Sequence, residues 1–236
     1  MDRAEDRPAR GEGAEGLGVP TEARPHPAGA PPLRRRPRGA GSVQKKLPGR
    51  LKEVRRAHPE AEEVELWAED ERRVGLKLVL RRVWAPRGRR PVARGRRRYG
   101  WAYVYGFVRP KTGKVFWLVM PTVDARAFSL ALSRFAEWVG AGPGKRVLLV
   151  VDRAGWHVAN DLEVPEGLDL EFLAARSPEL MPAERLWPLL NEGVANRPFE
   201  DLGELAGALV ERCLALSERP DLLRGHTRYR WWPDAA

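Results

Sequence analysis

Apolar and polar positions alternate over residues 64–68 (Val64, Glu65, Leu66, Trp67, Ala68), the period of a half-buried strand, and the run closes on the acidic triplet Glu69, Asp70 and Glu71. Looser alternation over 74–83, and runs rich in aromatic and β-branched residues over 101–108 and 115–120, predict further strands. The last two are joined by the turn residues Pro110, Lys111, Thr112 and Gly113, so the stretch reads as an antiparallel meander. Phe128, Ala131, Leu132, Phe135, Trp138 and Val139 then recur at helical spacing behind Asp124, a suitable N-cap, and stop at Gly140. After the Gly142-Pro143-Gly144 break, residues 147–151 are apolar without alternation, as expected of a strand covered on both faces, and the run ends at Asp152. A strand over 168–173, a helix from Pro182 to about Asn191 and a helix from about Phe199 to Leu216 complete the pattern. A meander followed by alternating strand and helix predicts an α/β fold, a mixed sheet with helices on its faces.

The flanking segments read differently. Residues 1–44 hold seven prolines, seven glycines and no aromatic residue, too little apolar surface to order themselves, so a disordered arm rich in Pro, Gly and Arg is expected. Its Arg34, Arg35, Arg36 and Arg38 either meet a polyanion or simply stay solvated. Over 45–63, the spacing of Leu47, Leu51 and Val54 predicts a short basic connector helix closed off by Pro59. The ordered domain is expected over 64–233.

Composition narrows the function. The 236 residues are 43% hydrophobic, enough for a core, and carry a formal net charge of +10. No stretch of about 18 uncharged apolar residues occurs, and Asp2, Arg3, Glu5, Asp6 and Arg7 stand where a signal peptide would be apolar. A cytoplasmic protein with no membrane partner is expected. Cys213 is the single cysteine and His26, His58, His157 and His226 are scattered, so a bound metal would have to be held by carboxylates. Isoleucine is absent and Gln44 is the one glutamine, a bias of GC-rich coding that supplies arginine indiscriminately. Local asymmetry is therefore more telling than the total. Between Glu71 and Asp124 there are fifteen Lys and Arg residues and no acidic one. Within that stretch, Arg87, Arg89, Arg90, Arg94, Arg96, Arg97 and Arg98 are the candidate DNA contacts. Trp84, Tyr99 and Trp101 either stack on unpaired bases or belong to the core and strand surface.

Three carboxylates stand at element ends: Asp70 after the first strand, Asp152 after the buried strand and Glu184 in the first turn of a helix. In sheets flanked by helices, sites gather at strand ends beside a change in strand order. Such a trio suits hard cations, and two ions about 3.5–4 Å apart activate water and steady the leaving oxygen in phosphodiester cleavage. Each acid also has a local reading: Asp152 as a strand terminator, Glu184 as a helix-dipole partner, Asp70 as an exposed edge charge.

The stretches WAEDE, LLVVDRAGWH and SPELMPAERLW, in that order, resemble the catalytic domain of DDE transposases, in particular the bacterial insertion-sequence branch of the mariner superfamily. The resemblance rests on Asp70 of the Asp70-Glu71 pair, on Asp152 with Ala154 and His157, and on Ser177, Pro178, Glu179, Leu180, Pro182, Glu184 and Trp187. It implies an RNase H-like fold and a DNA endonuclease that cleaves element ends and transfers them by 3′-hydroxyl attack on a target. It implies Asp70, Asp152 and Glu184 as catalytic residues and as ligands of two Mg²⁺ or Mn²⁺ ions. Glu71, Arg153 and His157 are site-adjacent, His157 either near the metals or capping the following turn. DNA partners, a homodimer, a nucleoid location and no small-molecule substrate follow from the same resemblance. The chain departs from the pattern at Arg153, where Gly or Asn is usual, at Ala174, Ala175 and Arg176, where Pro-Pro-Tyr is common, and at Met181, where Asn is usual. Arg153 would either repel a cation or pair with a carboxylate. A helix-turn-helix module, usual ahead of this domain, is not expected in 1–44. The second reading is thus an impaired remnant that binds DNA without cutting it.

Overall fold

The computed structural model describes residues 40–88, 92, 99–174 and 177–233, the first five of these by backbone alone. Five strands, β1 (Glu63–Gly75), β2 (Trp101–Arg109), β3 (Lys114–Met120), β4 (Lys145–Val151) and β5 (Leu168–Phe172), form one sheet in the order β3-β2-β1-β4-β5. The meander β1-β2-β3 is antiparallel, whereas β4 and β5 run parallel to β1. Five α-helices flank it: α1 (Ala40–Ala57), α2 (Ala125–Val139), α3 (Leu186–Val194), α4 (Leu202–Ser217) and α5 (Pro220–Thr227). The mixed sheet read from the sequence is the sheet found, an RNase H-like arrangement.

Strand alternation divides the core into two layers. Leu66, Ala68 and Val74 of β1, with Val104, Val108, Leu148 and Val150, face α1, α3, α4 and α5. Trp67 of β1, with Tyr105, Phe107, Val147, Leu149 and Val151, faces α2. On the α2 side Phe135 stacks on Phe107 at 4.4 Å and meets Trp67 edge-on at 5.0 Å. Each such aromatic pair adds about 0.5–1.5 kcal/mol to simple burial. Asp124 caps α2 by accepting from the Ala127 amide at 2.8 Å, and Gly140 ends the helix in the left-handed conformation at φ 73°, as the sequence signals predicted.

Three elements differ from expectation. The strand predicted over 74–83 does not form: β1 continues through the charged residues to Gly75, and beyond it Val79 makes a single bridge to Ala195. The reason is that β2 keeps pairing with β1 as far as Gly75 opposite Trp101, so backbone pairing runs through an interruption in side-chain polarity. The basic connector helix expected over 45–63 is α1, which begins at Ala40 and buries Leu47, Leu51 and Val54 against the sheet. The terminal helix α5, with Pro220 at its first turn, was not predicted; eight residues are too few to display a hydrophobic period.

Candidate active site at the carboxyl ends of the central strands

The parallel pairing of β1 with β4 sets Ala68 opposite Val150. Asp152 directly follows the last residue of β4, and Asp70 lies two residues further along β1 on the face of Ala68, since side chains alternate with period two. That is the α3 face. Here Pro182 begins a short 3₁₀ turn, Ala183–Arg185, which leads directly into α3 and carries Glu184 against the end of β1. The expected helix from Pro182 thus starts as a tighter turn. Asp70 repels both other acids, and Asp152 repels Glu184, so the structure brings the three predicted carboxylates into one electrostatic neighbourhood.

Their environments differ. Asp70 is 9% exposed, and its Oδ2 accepts a 2.6 Å hydrogen bond from the Trp187 indole N–H. Burial, then the charges of Glu184, Glu71 and Asp152, push its carboxyl up to about 8, against the pull of the Trp187 hydrogen bond. Burial also raises Glu184, with Asp152 adding to it and Arg72 opposing. Asp152 goes the other way: the His157 hydrogen bond and the Ala154 amide, which donates to Oδ1 at 2.8 Å, hold it below the usual carboxylate range despite partial burial. Gly106 stands opposite Asp70 on β2; a Cβ there would lie 3.0 Å from the rings of Trp117 and Trp187. The missing side chain leaves the space in which Trp187 reaches Asp70.

Glu69 and Glu71 have the opposite parity and point to the α2 face. There His157, on the 3₁₀ turn Gly155–Val158 and wholly buried beneath Phe128, sits with Nδ1 2.8 Å from Asp152 Oδ1 and Nε2 2.9 Å from Glu71 Oε1. Burial disfavours its charge, but the hydrogen bonds to Asp152 and Glu71 and the charges of Glu69 and Glu71 push the imidazole up to about 11. His157 therefore does more than cap a turn; it ties Asp152 to the acids behind β1. Glu69 is raised well above the carboxylate range by burial and by Glu71, and neither of its oxygens has a hydrogen-bond partner. Arg153 shares the parity of Val151, and its guanidinium lies 5.7 Å over the Phe172 ring, turned from the face of Asp70 and Glu184. No ion pair joins Arg153 to Asp70, Asp152 or Glu184 among the described residues.

Among the candidate DNA contacts, Arg87 is exposed at a turn, and Arg89, Arg90, Arg94, Arg96, Arg97 and Arg98 lie outside the described residues. Trp84 and Tyr99 are 96% and 91% exposed, while Trp101 is less so and carries the Arg73 guanidinium 4.5 Å over its ring. Trp187 and Glu69 were not assigned these contacts from the sequence, although both lay within the motifs. The signal for Glu69 is its parity: next to Asp70 in a strand, it must face the other layer.

A mixed sheet with an acid at the end of each of its two central parallel strands and a third on the covering turn defines an RNase H-like, metal-ion-type hydrolase or transferase architecture. The DDE superfamily endonuclease family model matches residues 65–206, more than half of the chain, which thereby belongs to that family. The uncharacterized protein y4pE/y4sA of Sinorhizobium fredii (strain NBRC 101917 / NGR234) is 39% identical over 116 residues, covering 49% of this chain and 82% of that one. The Mos1 mariner paired end complex with Mn has the same fold at 18% identity and a TM-score of 0.50, over 85% of this chain and 62% of that one. This chain spans about three-fifths of the length of the Mos1 chain it matches.

Proposed function

We propose that the protein is the catalytic part of a DDE transposase, cleaving DNA at element ends and joining the resulting 3′-hydroxyls to a target. The observation that carries this reading is the convergence of Asp70 on β1, Asp152 just past the parallel strand β4 and Glu184 on the covering turn, close enough to act on one another's charge. Burial and the charge of Glu184 push the Asp70 carboxyl up to about 8, so it gives up its proton readily only to a cation that can take its place. That donor set, all carboxylate, fits hard divalent ions such as Mg²⁺ or Mn²⁺. Asp70, Asp152 and Glu184 would together hold the two ions this reading calls for. The ions supply an activated water or 3′-hydroxyl nucleophile and stabilise the leaving oxygen.

The remaining work falls to the chain. Trp187 orients the Asp70 carboxylate and favours its ionised form, and His157 with the Ala154 amide holds Asp152 in one rotamer. The arginine-rich segment containing Arg87, Arg89, Arg90, Arg94, Arg96, Arg97 and Arg98 would neutralise backbone phosphates without reading sequence. Joining two ends calls for two active sites, so a homodimer belongs to this reading, as does a cytoplasmic, nucleoid-associated location. Among the described residues no helix is long and apolar enough to cross a membrane.

Joining separates a transposase from a plain nuclease. Short duplexes with a labelled strand ending in a 3′-hydroxyl, incubated with target plasmid and Mn²⁺, should yield label covalently attached to plasmid. Cleavage of the plasmid with no joined product at any duplex sequence tried would reassign the chain to hydrolysis alone.

A further inference from the structure

Behind β1, on the face turned from Asp70, a second set of ligand-type side chains closes around a buried point. Glu69, Glu71 and His157 each offer one donor atom, all within 4.8 Å of one another. His157 Nε2 lies 2.9 Å from Glu71 Oε1 and 3.7 Å from Glu69 Oε2. Donors bound roughly 2.0–2.2 Å from one ion at tetrahedral or octahedral angles stand roughly 2.9–3.6 Å apart, so the His157–Glu71 spacing is that of a shared cation and Glu69 would have to close in slightly to join it.

A cluster of acids alone would not make a site, but Glu69 adds a separate observation. Its side chain is 0% exposed and both carboxylate oxygens lack any hydrogen-bond partner. A carboxylate removed from water without donors must be met by a proton or a cation. The surroundings favour a cation. Asp152 Oδ1 is 2.8 Å from Nδ1 of His157, the contact by which an outer carboxylate fixes the tautomer and orientation of a metal-binding imidazole. The Trp156 indole N–H donates to Glu71 Oε1 at 2.8 Å and stands 3.1 Å from His157 Nε2, a second contact that an incoming ion would displace to reach the Nε2 lone pair. Glu71 is the one partly solvent-accessible member and marks the way in.

We infer that Glu69, Glu71 and His157 form a structural divalent-cation site separate from the Asp70, Asp152 and Glu184 trio. Two carboxylates with one imidazole select an ion that accepts nitrogen, Mn²⁺ or Zn²⁺, over Mg²⁺. Occupancy commits Nδ1–H to Asp152, and so locks the outer acid from the layer beneath.

The site can be counted with two of the three catalytic acids neutralised. The chain carrying Asp70→Asn and Glu184→Gln is equilibrated with Mn²⁺ or Zn²⁺, separated from loose ions by gel filtration and analysed by inductively coupled plasma mass spectrometry. About one ion per chain is expected, with thermal unfolding raised by roughly 5 °C or more at saturating ion. Adding Glu69→Gln should abolish both the ion and the shift, and Glu71→Gln serves if that variant does not fold by circular dichroism. No retained ion in the starting background, or an ion indifferent to both substitutions, overturns the site and leaves the cluster to protons. Because the cleavage trio is already disabled in every protein compared, that outcome says nothing against the cleavage reading.

Discussion

Trp187 acts on Asp70 through one hydrogen bond in a place made for it by Gly106. The indole N–H favours the ionised carboxylate, which burial and Glu184 oppose, so its loss should hold the proton on Asp70 more tightly. A hydrogen bond to a charged group contributes about 1.5–3 kcal/mol, which corresponds to roughly a 10- to 100-fold change in an equilibrium. Trp187→Phe should therefore raise the Mg²⁺ concentration needed for half-maximal DNA cleavage at neutral pH by about that factor; an unchanged metal titration would separate Trp187 from the site. At this scale the sequence was legible in the identities of the acids and in their order. It was silent on the indole contact, because nothing in the spacing of Glu184 and Trp187 tells which of the two meets Asp70. His157 was left between two roles for the same reason: its partners, Asp152 and Glu71, are 5 and 86 positions away.

β1 is the element on which both sites depend, and its far end carries a charge pair of its own. Glu65, 2% exposed, accepts from Arg109 at 2.7 Å and pairs with Lys145 at 2.9 Å. Burial alone would raise Glu65, but the hydrogen bonds of Lys145 and Trp67 and the charges of Arg109 and Lys145 together hold it below the usual carboxylate range. A carboxylate lowered on folding contributes stability at pH values above its unfolded pKa, and that contribution is lost as pH falls through the lower folded value. Glu65→Gln should cost about 1–3 kcal/mol in urea unfolding at pH 7, and the gap should close below pH 4.5 as the wild-type carboxylate protonates. A gap independent of pH would mean that the loss is one of packing. Strand β1 also shows where pattern reading failed: Arg72 and Arg73 interrupt the apolar alternation yet remain paired to Val104 and Tyr103, because the ladder is a backbone matter. By contrast α2 and β4 were legible to within a residue or two, since a capped helix and an uninterrupted apolar run each carry their own boundary signals.

Across the whole molecule the sheet serves as a partition. On one face the ends of β1 and β4 meet the turn that leads into α3 and gather the acids Asp70, Asp152 and Glu184; on the other, Glu69, Glu71 and His157 brace them from beneath. Membership of the DDE superfamily endonucleases agrees with the first face. The architecture was legible because helices and strands alternate in an order that few mixed sheets satisfy, whereas the depth of each acid was not, being set by which layer its strand parity chooses. The central claim is that these three acids form one metal-dependent DNA-cleaving site, and relaxation of supercoiled plasmid tests it most directly. Purified wild-type protein and the Asp152→Ala variant would be compared with Mg²⁺, Mn²⁺ or EDTA, with DNA binding measured alongside at several salt concentrations. The account predicts nicking that requires the ion and vanishes in the variant, while salt-sensitive binding persists in both; equal nicking by the variant, or nicking in EDTA, would contradict it.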